Sequence, residues 1–326
     1  MTATRLVPVE TLHRIVEVAT RAPSVHNTQP WLWRGGSHTL ELFADRRYQL
    51  SETDPLGRNL TISCGAALHQ AQVAAGALGW STRVARHPDP AEPDLLAVIE
   101  LSAGVASPTA QESLDAMDAR CTDRRRFNAW PVPEERLAHL ARIAHQWGAR
   151  AVALTDESER YIAERLVRRA ADQQRANPAI RAEQEHWLHR PAGDGVPAGA
   201  LPDQVERAGR HAHRFEDAAR EVHPGAEVEA TDGLIVFFDT HDDPAAWLRV
   251  GEGLSAMWLG ATLDGLCLVP LSQVIEVPET LQAFQVEVLG SLAHPLLLVR
   301  VGWRPTGGAP PDRTLRRPVS EVLELV

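Results

Sequence analysis

An α+β fold made of two related halves is what this sequence predicts, on three observations. Strand-like and helix-like stretches interleave along the chain. Two helical stretches recur in the same order. One helix is so rich in small residues that other elements can approach it on several sides.

The first helix follows from Leu12, Ile15, Val16 and Ala19, spaced i, i+3, i+4, i+7 on one face. Pro8 suits its start and Pro23 stops it. HTLELFAD (38–45) alternates as a strand does. The small-residue helix covers about Leu60 to Leu78, with Gly65, Ala66, Ala67, Ala71, Ala74 and Ala75, and Gly79 offers a left-handed cap. It is placed at the centre. DLLAVIEL (94–101), GLIVFFDT (233–240) and HPLLLVRVGW (294–303) read as further strands.

The repeat is read by superposition of the chain on itself. VPVETLHRIVEVATRA (7–22) lies on VPEERLAHLARIAHQW (132–147), with Pro8 on Pro133 and Leu12 on Leu137, an offset of 125. SCGAALHQAQVAAGALGW (63–80) lies on VGEGLSAMWLGATLDGL (250–266), with Gly65 on Gly251 and Gly79 on Gly265, an offset of 186. The change of offset puts an insertion at about 160–225, expected as a helical lid from AERLVRRAADQQRA (163–176) and DQVERAGRHAHRFEDAAREV (203–222). The halves are drawn at 1–115 and 116–326.

The chain has 326 residues and a net charge of −10, which argues against a general nucleic-acid binder. No apolar run reaches the roughly 20 residues of a membrane span, and the N-terminus lacks a signal-like apolar core, so a cytoplasmic protein is expected. Cys64, Cys121 and Cys267 are far apart and form no CxxC. All 33 basic residues are arginine, so any phosphate falls to arginine, backbone or hydroxyls.

Two stretches could carry chemistry. Ala22-Pro-Ser-Val-His-Asn-Thr-Gln-Pro-Trp31 sets Ser24, His26, Asn27, Thr28 and Gln29 between two prolines. It suits either a polar planar ligand or a turn that satisfies its own backbone. Arg120-Cys-Thr-Asp-Arg-Arg-Arg-Phe127 concentrates cations in an acidic chain. It suits either a phosphate dianion or a solvated turn paired with carboxylates. Arg316-Arg317-Pro318 could converge on the same anion. His186 and His189, with His211 and His213, are read as solvent-facing rather than as metal ligands. No GxGxxG follows a strand and no GxSxG elbow occurs.

PSVHNTQPW resembles the PSxxNxQPW flavin loop of the nitroreductase superfamily. RCTDRRRF is similar to its RxSxR phosphate motif, with Thr122 for serine. DPLGRNLTISCGAAL (54–68), the 250–266 helix and the terminal LRRPV are similar too. The layout resembles the Acg-like branch, in which one chain mimics the usual homodimer.

The resemblance implies a nitroreductase-like fold and one FMN per chain, because each half carries only one of the two motifs. It implies that Arg120, Thr122 and Arg124 hold the FMN phosphate, with Arg316 or Arg317. Ser24, Asn27 and Gln29 would line the ribityl chain and ring edge, and Pro270, Leu271 and Ser272 would approach N5. The expected activity is NAD(P)H oxidation coupled to reduction of a nitroaromatic or quinone. FMN storage or stress protection under the lid is the alternative. The chain would be a pseudo-dimeric monomer or a homodimer, with no catalytic side chain and no metal.

Overall fold

A computed structural model describes residues 6–188, 190, 193–196, 228, 231–306 and 313–326. Helix α1 (Val9–Ala19) buries Leu12, Ile15, Val16 and Ala19, the face read from the spacing. A loop holding a short 3-10 turn leads into the hairpin β1 (Trp31–Gly35) and β2 (Thr39–Ala44). Helix α2 (Arg58–Ala77) follows, then β3 (Trp80–Arg86) and β4 (Leu95–Ala103). The short α3 (Ala110–Ala119) leads to α4 (Glu134–Gln146) and β5 (Arg150–Ala153). After α5 (Glu157–Ala176) and α6 (Pro178–Trp187) come β6 (Gly233–Asp239), α7 (Pro244–Leu263) and β7 (Leu266–Pro270). The chain ends with α8 (Gln273–Glu276), α9 (Pro278–Glu287), β8 (His294–Trp303), α10 (Val319–Val322) and β9 (Leu323–Leu325).

The two sheets share one plan. The first runs β3-β4-β2-β1 and the second β7-β8-β6-β5, every pair antiparallel. In each half a helix precedes the first strand, and a long buried helix sits between the second and third strands. Those helices, α2 and α7, cross at the centre. A Cβ on Gly65 would lie 2.2 Å from Leu248 O, and one on Gly251 would lie 2.0 Å from Ile62 O. Each contact is the mirror of the other at the 186-residue offset. His69 Nδ1 meets Ser255 Oγ at 2.9 Å, again 186 residues apart. Reciprocal contacts of this kind are what a twofold axis produces between equivalent units. Gly79 and Gly265, matched by the same offset, both take left-handed φ, 79° and 76°.

Two features depart from the plan read in the sequence. The C-terminal β9 adds to β1 in parallel, so the segment drawn as 116–326 returns a strand to the first sheet. The expected lid also begins inside the core. Ala163, Leu166, Val167 and Ala170 of α5 pack with Val274, Ile275 and Phe284 of α8 and α9. A helix with that much apolar surface gains more from burial than from swinging free. Residues 203–222, the other half of the expected lid, lie outside the described residues.

Candidate functional site

The loop after α1 is shaped by backbone strain. His26, Asn27 and Gln29 take φ of 47°, 55° and 51°, a region non-glycine residues rarely enter. Three such residues persist only if their surroundings hold them. Ser24 Oγ accepts from Gln29 N at 3.0 Å, and Val25 N donates to Ser63 Oγ on α2 at 3.2 Å. Asn27 Nδ2 donates to Gly195 O at 2.9 Å and Leu315 O at 3.0 Å.

The loop faces a cleft with two lobes. The first has about 900 Å³ of empty volume and apolar walls from Ile62 on α2, Leu254 and Trp258 on α7, and Val269, Leu271 and Leu297. Ser24, His26, Asn59, Ser63, Ser272 and Gln273 supply its polar points. Leu271 N donates to Leu298 O at 2.8 Å, so that N–H is already used. The second lobe has about 980 Å³ and is ringed by Arg21, Arg120, Arg124, Arg313 and Arg316, with Asn27, Cys121 and Thr122. Pro23, Ser24, Thr122 and Arg124 line both lobes and join them.

The cations of the second lobe differ in what they hold. Arg21 pairs with Asp118. Arg316 Nε donates to Thr20 O at 2.7 Å and its NH2 to Arg21 O at 3.2 Å; Arg120 NH2 donates to the same Arg21 O at 3.1 Å. These are the carbonyls at the C-terminal end of α1, where partial negative charge collects. Arg120 Nε and NH1 are buried with no hydrogen-bond partner, and its guanidinium lies 4.8 Å from the centre of the Trp258 ring. Burial brings Arg120 down to about 10. Burial, helped by Arg120 and Arg21, brings Arg316 down to about 9. Both remain protonated at neutral pH, held charged against a cost that a bound anion would offset. Two such guanidiniums suit one phosphate dianion, and an apolar slot beside it suits a flat ring; FMN fits both requirements.

Of the residues expected from sequence, Ser24, Asn27, Arg120, Thr122, Arg124, Pro270, Leu271, Ser272 and Arg316 line this cleft. Gln29 and Arg317 line neither lobe. Gln29 is fully buried and is spent on Gly193 O and Arg317 N. Arg317 lies over the Tyr48 ring at 4.2 Å and 3.7 Å from Asp45. In RCTDRRRF both early readings apply: Arg125 makes an internal ion pair with Asp123, whereas Arg120, Thr122 and Arg124 face the cleft. Sequence reasoning missed Arg21, Asn59, Trp258 and Arg313. Arg21 stands two residues before Pro23 and could have been taken with that loop. Among the described residues no group of three metal-binding side chains occurs, and His186 hydrogen-bonds to Arg190. His189, His211 and His213 lie outside the described residues. No described helix is long and apolar enough to cross a membrane.

The fold and cleft together define a two-lobed α+β protein with a slot for a flat ring beside a pocket for an anion. No family model matches the chain. Two proteins of Mycobacterium tuberculosis strain ATCC 25618 / H37Rv do. The one named "Putative NAD(P)H nitroreductase Rv3131" is 36% identical over 320 residues, covering 97% of this chain and 91% of its own. The one named "Putative NAD(P)H nitroreductase acg" is 30% identical over 324 residues, covering 98% and 97%. Among solved structures, the FMN-dependent nitroreductase NfnB from Mycobacterium smegmatis, in complex with NADPH, is similar at 15% identity and a TM-score of 0.37. It covers 63% of this chain and 99% of that one. On the two relatives, the chain belongs to the nitroreductase superfamily, in its Acg-like branch.

Proposed function

We propose that the chain is an FMN-dependent oxidoreductase with one flavin site between its two halves, taken as 1–115 and 116–326. The observation that supports this most is the pair Arg120 and Arg316, half-buried, charged and facing a lobe that opens onto an apolar slot. Arg120, Arg316 and Arg124 with Thr122 would hold the phosphate. Ser24 and Asn27 would follow the ribityl chain. Ile62, Leu254, Trp258, Pro270, Leu271 and Ser272 would enclose the ring and exclude water from one side of it. The chemistry supplied by the bound cofactor is two-electron transfer from NAD(P)H to an electron-poor acceptor, a nitroaromatic or a quinone, in ping-pong order. The protein's part is to orient and insulate.

A second reading is FMN storage with little turnover. Its support is the insertion, which reaches the second lobe at Val196 and is tied to the loop through Gly193 and Gly195. A roof there would slow release. The absorption spectrum of the purified protein, with or without added FMN, tests the site. Anaerobic mixing with NADPH then separates the readings: rapid bleaching favours the oxidoreductase, and a yellow colour that persists favours the store.

A further inference from the structure

We infer that Gln29 is a positioning residue for phosphate recognition: it anchors the C-terminal segment so that Arg316 faces the second lobe. This rests on the reading of the cleft as an FMN site. Gln29 touches neither lobe, so a direct contact with the flavin is not what its geometry provides. Both ends of its amide are committed to chain segments remote in sequence. Nε2 donates to Gly193 O at 2.7 Å, Oε1 accepts from Arg317 N at 2.9 Å, and its backbone O accepts from Arg317 NH1 at 3.2 Å. The left-handed φ of 51° at Gln29 is the strain that aims this amide away from the cleft and toward the tail.

What Gln29 grips is the residue next to Arg316. Arg317 is fixed on every side: Tyr48 under its guanidinium, Asp45 at 3.7 Å, and Pro318 after it, which restrains its backbone. Arg316 then projects to the other side and delivers its guanidinium to Thr20 O and Arg21 O at the second lobe. Gly193 fits against the same stretch from the insertion side; a Cβ there would lie 2.5 Å from Arg316 O. Three segments therefore set the position of one cation; Asn27 ties the insertion to the tail at Leu315, on one side of Arg316, and Gln29 ties it at Arg317, on the other. The consequence is specific. Loss of Gln29 weakens the grip on phosphate and leaves the grip on the ring.

The test compares FMN with riboflavin, which carries the same ring and ribityl chain without phosphate. Dissociation constants for both are measured on the full chain by flavin fluorescence, for wild type, Gln29→Met, Gln29→Glu, Arg316→Met and the Gln29→Met/Arg316→Met pair. Gln29→Met is expected to weaken FMN binding about 10- to 100-fold, the range of one charge-assisted contact, and to change riboflavin binding less than about threefold. The double variant should be no weaker than Arg316→Met alone. Gln29→Glu still accepts from Arg317 N but sets a second carboxylate oxygen against Gly193 O, so it should lose the preference for FMN as Gln29→Met does. Equal losses for the two flavins, or an unchanged FMN affinity, overturn the inference. Should Gln29→Met fail to fold, Gly193→Ala displaces the same stretch from the opposite side and should show the same phosphate-specific loss; equal losses there overturn the inference as well. A wild-type chain that binds neither flavin sinks the proposed function itself. One that binds both alike removes the phosphate grip, and this inference with it.

Discussion

The two halves leave their first helix in opposite ways. After α1 the chain spends residues 20–30 on a strained loop that lines a cleft. After α4 it turns once at Gly148, φ 77°, and enters β5 directly. In the first half the turn region supplies Pro23, Ser24 and His26 to an open slot. In the second, Trp147 packs edge-on against His69 at 4.2 Å. Where the second half would be expected to open in the same way, polar groups fill the space: Glu252, fully buried, takes Arg86 through two hydrogen bonds and Gln72 through a third. Two halves built on one plan thus carry one strained loop that faces a cleft and one short turn beside packed side chains. Among the described residues, the strained loop of the first half is the one that lines the two-lobed cleft.

The largest expected effect falls on the copy that keeps the cleft. Arg120→Ala with Arg316→Ala removes two charged donors, each worth about 1.5–3 kcal/mol to an anion, so FMN binding should weaken by about 3–6 kcal/mol. The stability of the flavin-free protein should hardly fall. Both arginines have folded pKa values below 12.5, so their charge opposes folding at neutral pH, and its removal offsets the lost bonds to Thr20 O and Arg21 O and, from Arg316, to Thr314 and Leu315. Flavin titration and thermal melting of the same samples check both halves of the statement. A large drop in melting temperature without flavin would mean the pair is structural.

The twofold contact between the halves is tested next. Gly65→Ala and Gly251→Ala each push a methyl group into facing backbone and should destabilise by roughly 3 kcal/mol or more. Near-equal losses would confirm that the two contacts are equivalent. Gly76 lies on the same helix as Gly65 with nothing within 4 Å of a Cβ, so Gly76→Ala should stabilise by about 0.4–1 kcal/mol. Urea melts of the three variants give the contrast.

The closed copy predicts a smaller, lopsided effect. Arg86→Met leaves Glu252 charged, buried and short of its partner, at a cost of about 3 kcal/mol. Glu252→Gln leaves Arg86, 36% exposed, free to reach water, and should cost about 1 kcal/mol. Equal losses in urea melts would show that the pair acts through shape rather than charge.

Much of this was legible in the sequence because it is local. The apolar spacing gave α1, the small residues gave α2, and β8 matches His294–Trp303 in full. The loop and the arginine motif stood out by their residue types, with a ligand site and a self-satisfied turn both open. What could not be read is set by partners far away in the chain. Whether Gln29 faces a ligand or Arg317 depends on a segment 288 residues on. Trp258 reads as core in any helix; in the fold it is both core and cleft wall, with Arg120 across its ring. β5 has four residues and β9 three, too short for an alternation to show, and α5 looked like a charged flap because its apolar stripe is narrow.

The last test concerns the axis itself, where the matched positions hold His69 and Ser255. His69 is buried and held neutral, its pKa brought down by desolvation to about 3. The unfolded chain takes up a proton near 6.5, so stability falls by about 1.4 kcal/mol per unit as pH drops from 6.5 toward 3. Asp54, which caps α2 through Asn59 N and Leu60 N, works in the other direction. Desolvation raises it to about 6 from 3.8, so its proton stabilises the fold below 3.8, and that contribution is lost as pH rises to 6. Between pH 3.8 and 6 the two slopes oppose each other. His69→Asn should therefore gain stability relative to wild type on acidification through that window, and Asp54→Asn should lose it. Denaturant melts at pH 6.0, 5.0 and 4.0 measure the difference; parallel curves for all three proteins would show that neither group titrates across folding.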